Sequence, residues 1–287
     1  MDKFFDKMRR NVPMAEYTTL RIGGPAEYFW EPESPEEIVQ GLNVAEKINV
    51  KVHIIGNGSN LLISDEGVRG VVCLIGERMS GVEFHGETVI AQAGITLKAL
   101  CEASWEKSLD GLVFSGGIPG TLGGAVVMNA GAYDGEMRDV ITRVRFANRD
   151  GLFWVDNKDM GFGYRTSRVA EYGVVVAAEL KLAKGNKKRI AERMKELAQK
   201  REEKQPSQPS AGSYFKRPVG GYASALIDEA GLRGLRAGGA AVSEKHCGFV
   251  VNLGGATCAD VLALQEKIIC AVKQKSGITL EPEVKRL

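Results

Sequence analysis

The sequence is poor in the residues that staple or metallate a small fold. It has five cysteines, at positions 73, 101, 247, 258 and 270, and no two of them form a Cys-x-x-Cys pair. An odd, scattered set argues against a disulfide framework and a thiolate zinc site, and points to reduced thiols. Three histidines, also dispersed, offer little to a metal cluster, so no metal is expected. Apolar runs such as 71–76 and 174–178 are far shorter than the ~20 residues of a membrane helix. The opening MDKFFDKMRRN is charged and lacks the apolar core of a secretory signal. Neither sign of charge dominates: 38 basic residues face 36 acidic ones, a net charge of +2. That balance gives no reason to expect nucleic acid or anionic membrane as a partner. The expectation is a soluble cytoplasmic protein, its oligomeric state unfixed by the sequence and a monomer compatible with it.

What the chain does have is glycine, 35 of 287 residues, against a usual share of ~7%. Nineteen of these lie between Gly23 and Gly135, and none lies between positions 186 and 211. A length of 287 suggests about two domains. The expected divisions are an N-terminal segment 1–19, a glycine-rich domain 20–185 and a C-terminal domain 186–287.

Short strands are expected at 51–55, 68–75, 81–94 and 142–155, where β-branched residues cluster or alternate. Asn-Arg-Asp-Gly at 148–151 is a hairpin turn signal. Helices are expected over 34–49, opened by Ser34 and Pro35, and over 96–108, opened by Thr96. Residues 187–204 form a charged helical stretch with Ile190, Met194 and Leu197 on one stripe. Residues 205–213 read as an ordered loop or linker. Beyond it come a helix at 222–232 stopped by Gly231, a strand at 247–255, a helix at 256–277 stopped by Gly277, and a terminal strand at 278–287. The class is α+β.

Two glycine-rich stretches carry the candidate binding residues. GNGSNLLI (56–63) follows a strand directly and offers Gly56, Asn57, Gly58, Ser59, Asn60 and Leu61. Its glycines permit left-handed turns, and successive amides in such a turn form a nest for phosphate oxygens. It is neither a P-loop nor a Rossmann fingerprint, and taken alone it reads equally as a plain turn. FSGGIPGTLGGAVVMNAGAYDGE (114–136) offers Gly117, Ile118, Pro119, Gly120, Thr121, Gly123, Gly124, Asn129, Ala130 and Gly131. An extended loop this rich in glycine wastes conformational entropy unless something packs on its backbone. Two such stretches suit a long anionic ligand such as a dinucleotide.

These stretches occur in order with TTLRIGGPAEYF (18–29), FGYRTS (162–167), QPSQPSAGSYFKRP (205–218), AGLRGLRAGGAAVSEKHCGFVVN (230–252) and LEPEV (280–284). Together, over nearly the whole chain, they resemble the UDP-N-acetylenolpyruvoylglucosamine reductase family. The direct run from FGYRTS into the charged helix resembles its shorter subclass, which lacks a tyrosine-bearing insertion. The resemblance implies an FAD-binding fold of the vanillyl-alcohol-oxidase type, with two α+β subdomains, plus a C-terminal α+β substrate-binding domain. It implies NADPH as hydride donor, UDP-N-acetylglucosamine enolpyruvate as substrate and a place in peptidoglycan precursor synthesis. FAD is expected to be held non-covalently, since no Cys or His lies in either glycine-rich stretch.

The same resemblance implies three catalytic residues. Ser213 matches the proton donor that follows hydride transfer from reduced flavin N5 to the enolpyruvyl group. Arg165 matches an arginine suited to pair with the enolpyruvyl carboxylate. Glu283 matches the second polar group, placed to donate to a developing oxyanion; Glu281 does not align with that role. Lys216 matches a substrate-contacting lysine, and Arg217 stands where many relatives have Asn. Tyr133 and His246 are further possible contacts, with packing or hydrogen bonding the plainer reading of each. Two other readings share the glycine-rich stretches: an FAD oxidase or dehydrogenase of the same fold acting on an alcohol or hydroxy acid, and a non-enzymatic nucleotide-phosphate-binding module.

Overall fold

The computed structural model describes residues 5–287. The chain divides into two compact units, and neither is one continuous stretch. The first takes the chain up to Arg10, then Tyr28–Asn57 and Gly70–Lys200. The second takes Asn11–Glu27, Gly58–Arg69 and Arg201–Leu287. The boundaries expected at 19/20 and 185/186 therefore do not coincide with the compact units. Such a partition is set by pairings distant in sequence, which composition does not record.

The first unit is built on a five-stranded antiparallel sheet. Its order is Gly151–Asp156, Ile141–Asn148, Val174–Lys181, Thr88–Gln92 and Val82–His85. Asn148 pairs with Gly151, so the hairpin turn falls on the signal at 148–151. The central strand Val174–Lys181 is buried along most of its length, and its apolar run is the middle of this sheet. A parallel pair, Val52–Ile55 against Val68–Leu74, is in register from Val52 with Val71 to Ile55 with Leu74.

Helix α1, Pro35–Lys47, begins as its sequence dictates: Ser34 Oγ accepts the Glu37 amide at 3.2 Å, and Pro35 takes the first helical position. It buries Ile38, Gly41 and Ala45. Helix α2, Leu97–Glu106, is capped by Thr96 Oγ1, which accepts the Ala99 amide at 3.2 Å. Each such cap contributes ~1 kcal/mol.

Helix α3, Leu122–Met128, corrects the expectation of an extended loop over 114–136. Leu122, Ala125 and Val126 are its buried face, an i, i+3, i+4 pattern. Gly123 lets that face approach the sheet: a Cβ there would lie 3.1 Å from the Ala93 Cβ, and the Gly123 amide donates to the Ala93 carbonyl at 2.8 Å. One turn, α4, covers Val169–Tyr172, and α5 runs Lys187–Lys204 over the expected span with Ile190 and Leu197 buried.

The second unit carries a four-stranded antiparallel sheet, in the order Ser210–Ser213, Phe249–Asn252, Ala240–Val242, Arg236–Ala237. Residues 210–213 are thus an edge strand rather than a linker; the proline- and serine-rich lead-in concealed it. Helices α6, Ala223–Glu229, and α7, Cys258–Ser276, complete the unit. Val242 and Val250 share a core with Ile227 of α6 and with Val261, Leu264, Ile268 and Val272 of α7. Ala241, Phe249 and Val251 form a separate cluster, as period-two alternation requires of the opposite sheet face.

Gly231 and Gly277 follow these two helices at φ +73° and +74°, the left-handed stops expected of them. Helix α7 opens with a capping box: Thr257 Oγ1 accepts the Asp260 amide at 3.0 Å, and the Asp260 carboxylate accepts the Thr257 amide at 3.1 Å. Asp65 adds a second cap, its carboxylate accepting the Cys258 and Ala259 amides at 2.7 and 3.0 Å. The expected terminal strand shrinks to Lys285–Arg286, which pairs in parallel with Leu61–Leu62.

Candidate active site

In the first unit the two glycine-rich stretches meet. The Asn57 side-chain amide donates to the Pro119 carbonyl at 2.8 Å. A Cβ on Gly56 would sit 2.3 Å from Thr121 Oγ1, so only glycine fits there. Gly116 to Gly131 then present backbone of two kinds. The amides of Ile118, Gly120, Leu122 and Gly123 donate to the carbonyls of Ser115, Ile118, Ile95 and Ala93. These four are committed to the protein.

Asn129, expected among the cofactor-binding residues, has its side chain engaged within the protein. It is fully buried at φ +41° as the left-handed end of α3. Its side-chain amide donates to Glu136 at 2.9 Å and to the Gly163 carbonyl at 3.1 Å, and its oxygen accepts the Arg138 amide at 3.0 Å. All of its polar capacity for fixing this turn is spent on the protein. A buried asparagine joining two loops leaves no trace in the sequence that separates it from a ligand contact.

Arg165 reaches the end of the glycine-rich segment. Its backbone is left-handed, φ +54°, and one guanidinium N–H donates to the Gly131 carbonyl at 3.0 Å. Tyr133, also left-handed at φ +56°, donates its hydroxyl to the Leu197 carbonyl at 3.0 Å. That bond fits the plainer reading of Tyr133 as a hydrogen-bonding residue.

Ser213, Glu283, Lys216, Arg217 and His246 belong to the second unit. Ser213 ends the edge strand opposite Phe249, so it shares Phe249's sheet face, away from α7. A register shift lies between Ser210 and Ser213, with Gly212 at φ +76° inside it. The bulge re-aims Ser213 while the next residue, Tyr214, is buried and donates its amide to the Gly248 carbonyl at 2.8 Å.

The Glu283 amide donates to the Tyr214 carbonyl at 2.8 Å, and the Lys216 amide donates to the Glu281 carbonyl at 2.9 Å. Two candidate motifs 65 residues apart thus run side by side. Asn60 joins them, accepting the Lys285 amide on its carbonyl at 2.9 Å. Gly58, at φ +58°, has no space for a Cβ beside the Tyr17 carbonyl, and Leu61 pairs with Lys285.

The Lys216 ammonium is ion-paired with the Glu281 carboxylate, a role for Glu281 that sequence reasoning missed. Arg217 lies over the ring of Tyr222 at 4.0 Å from its centroid. His246 Nδ1 accepts the Gly248 amide at 3.1 Å, which puts the ring proton of the neutral imidazole on Nε2. Burial holds this imidazole below its ordinary pKa, so it is neutral at pH 7.

Comparison with known proteins gives these two sets of residues a common setting. Residues 26–156 match the model of an FAD binding domain, and residues 205–287 match that of the UDP-N-acetylenolpyruvoylglucosamine reductase C-terminal domain. The protein is therefore an FAD-binding oxidoreductase, with a mixed α+β flavin-binding domain and a second α+β domain. The enzyme of that name from Clostridioides difficile is 46% identical over 285 residues, covering 98% of this chain and 94% of the relative. That from Caldanaerobacter subterraneus is 44% identical over 97% of this chain and 93% of the relative. The crystal structure of UDP-N-acetylenolpyruvylglucosamine reductase from Thermus caldophilus superposes with a TM-score of 0.85 at 38% identity, covering 97% and 99% of the two chains. The chain belongs to the UDP-N-acetylenolpyruvoylglucosamine reductase family.

The residues in place fit a flavin dinucleotide. Gly124 lies inside α3, where glycine costs ~1 kcal/mol relative to alanine. Its side is open: a Cβ there would meet nothing nearer than Thr121 Oγ1 at 3.8 Å. Nothing in the protein requires glycine at this position, whereas a ligand pressed against the helix does. The amides of Gly117, Thr121 and Gly124, interspersed among the committed ones, are suited to phosphate oxygens.

Proposed function

We propose that the chain reduces UDP-N-acetylglucosamine enolpyruvate to UDP-N-acetylmuramate with NADPH, in peptidoglycan precursor synthesis. The reading rests above all on whole-length similarity combined with the backbone pairing that sets LEPEV beside GSYFK. Gly56, Asn57 and the backbone from Gly117 to Gly131 would hold the flavin, and Gly58, Ser59, Asn60 and Leu61 complete the set of cofactor-binding residues in this reading. When bound there, FAD would supply the two-electron chemistry that links NADPH to the substrate's double bond.

This chain's side chains then have charge and a proton to manage. The Arg165 guanidinium pairs with the enolpyruvyl carboxylate and stabilises negative charge that spreads onto it. Glu283, when protonated, donates to the developing oxyanion. The Ser213 hydroxyl gives its proton to the carbon next to the carboxylate; a serine is a weak acid, so this requires a strongly basic carbon and a dry contact. Lys216 and Arg217 hold the diphosphate. Glu281 keeps Lys216 in place until an anion arrives. The same reading places the protein in the cytoplasm, with no membrane or nucleic-acid partner; among the described residues no helix is long and apolar enough to cross a membrane.

One experiment tests the whole. Purified protein is expected to be yellow, to be bleached by NADPH, and to regain its colour without oxygen only when the enolpyruvyl sugar nucleotide is added. Bleaching by an alcohol or hydroxy acid, followed by recolouring with oxygen, would instead assign the site to an oxidase of the same fold.

A further inference from the structure

Three bulky residues of the described chain take a left-handed backbone: Arg21 at φ +57°, Tyr133 at +56° and Arg165 at +54°. The other non-glycine residues with positive φ are Asn11, Asn49, Ser108 and Asn129. All four are small and polar, the kind that visit this region at low cost. A long side chain there is strained, persists only where its surroundings over-determine it, and tends to mark a ligand site. Tyr133 and Arg165 lie in the candidate site of the first unit. Arg21 has no part in the machinery described so far.

The turn that holds Arg21 is fixed from every side. Thr18 Oγ1 donates to the Ile22 carbonyl at 3.0 Å and accepts the Ile22 amide at 3.2 Å. The Arg21 amide donates to the Thr18 carbonyl at 3.1 Å. The Asn252 side-chain amide, arriving from the central sheet of the second unit, donates to the carbonyls of Leu20 and Arg21 at 3.1 and 3.4 Å. Leu20 and Ile22 are buried on either side of Arg21. Thr19 ties the turn to both candidate segments of this unit: its amide donates to the Gly58 carbonyl at 3.4 Å, and its hydroxyl to the Ser210 carbonyl at 2.7 Å.

Against this rigid backbone the Arg21 side chain is exposed, and its guanidinium has no hydrogen bond, ion pair or ring contact among the described residues. Most arginines of the chain's surface do have such partners, as Arg9, Arg78, Arg143, Arg168 and Arg233 show. An unpaired guanidinium carried on a fixed backbone offers a planar fork to a pair of phosphate oxygens.

We propose that Arg21 binds the diphosphate of a nucleotide ligand, and that the strained turn fixes the point from which its side chain reaches that contact. The proposal rests on the reductase reading, whose ligands FAD, NADPH and the UDP-sugar all carry a diphosphate.

Arg21→Gly suits the left-handed backbone and removes only the cation, while Arg21→Lys keeps the charge and loses the fork. For wild type and both variants we would measure the melting temperature, the FAD dissociation constant of the apoprotein by flavin fluorescence, and the KM for NADPH and for the sugar nucleotide. Arg21→Gly is expected to melt at or above the wild-type temperature and to raise one of the three constants at least tenfold, with a shallower salt dependence of that constant. Arg21→Lys is expected to recover part of the loss. The constant that moves identifies the ligand. The proposal is overturned if all three constants of Arg21→Gly stay within twofold of wild type, or if a change appears only with a lowered melting temperature. A colourless wild type, inactive with the sugar nucleotide, would sink the reductase reading and this proposal together; an active wild type with unaltered Arg21→Gly constants sinks the proposal alone.

Discussion

Asn57 donates its side-chain amide to the carbonyl of Pro119 at 2.8 Å, joining two stretches that lie 62 residues apart. Gly56, beside it, has no room for a Cβ because Thr121 Oγ1 would be 2.3 Å away. Gly56→Ala is therefore expected to destabilise the protein by ~1–3 kcal/mol, the usual cost of overpacking. Adding Thr121→Ala removes the obstructing oxygen and should restore most of that loss. Denaturant midpoints for the two single variants and the double variant measure the coupling. Simple additivity of the two effects would show that the clash lies elsewhere.

Gly124→Ala should separate stability from cofactor binding. The helix gains roughly 0.5–1 kcal/mol from the better helix former. The new methyl occupies the open side of α3, and FAD affinity should fall about tenfold, equivalent to ~1.4 kcal/mol. Thermal melts of the apoprotein and a fluorescence titration with FAD report the two effects separately. Wild-type affinity in a more stable variant would remove α3 from the flavin site.

Ser213→Ala should split the catalytic cycle. The variant keeps its colour and is bleached by NADPH at close to the wild-type rate. Reoxidation by the enolpyruvyl sugar nucleotide is expected to fall by a factor of ~10²–10⁴, the range typical of a lost general acid. Stopped-flow absorbance of the two half-reactions decides this, and full turnover would reject Ser213 as proton donor.

Acid should remove one identifiable contribution to stability. Arg143 donates two hydrogen bonds to Glu179, at 3.0 and 2.7 Å, and the Thr142 hydroxyl donates a third at 2.7 Å. The bonds from Arg143, with the one from Thr142, hold the Glu179 carboxyl below its usual pKa. A depressed folded-state pKa contributes stability above the unfolded value, and loses it as pH falls through the folded value. Wild type should thus exceed Glu179→Gln in denaturant midpoint at pH 7. The gap should narrow once the pH drops below ~4.3, the ordinary glutamate value. A gap independent of pH down to acid unfolding would assign the difference to packing.

Much of the fold was legible because its signals are local. Ser34 and Thr96 cap helices where their sequence positions say they should, and Asn148–Gly151 turns the hairpin it spells. Helix α3 was hidden because Gly123 and Gly124 suppress helix propensity, although Leu122, Ala125 and Val126 carry the spacing that reveals it. The 210–213 strand was hidden because its ladder partner at 249–251 supplies the order that its own proline- and serine-rich approach does not. Candidate site residues such as Ser213 and Arg165 are picked out by the motifs around them in the chain. Asn129, Glu281 and Asp65 act through partners from other stretches of the chain, which no local pattern announces.

The three-piece construction of the second unit has a consequence for how the protein is made. Residues 11–27 and 58–69 leave the ribosome long before Asn252 and α7, which hold them, have been translated. At ~5–20 residues per second, synthesis leaves them waiting roughly ten seconds or more. Through that interval Leu20, Ile22 and Leu62 lack the core partners that residues 211–284 supply in the finished protein. The growing chain is most exposed to misassociation then, and a nascent chain arrested before residue 252 should need a chaperone to stay soluble.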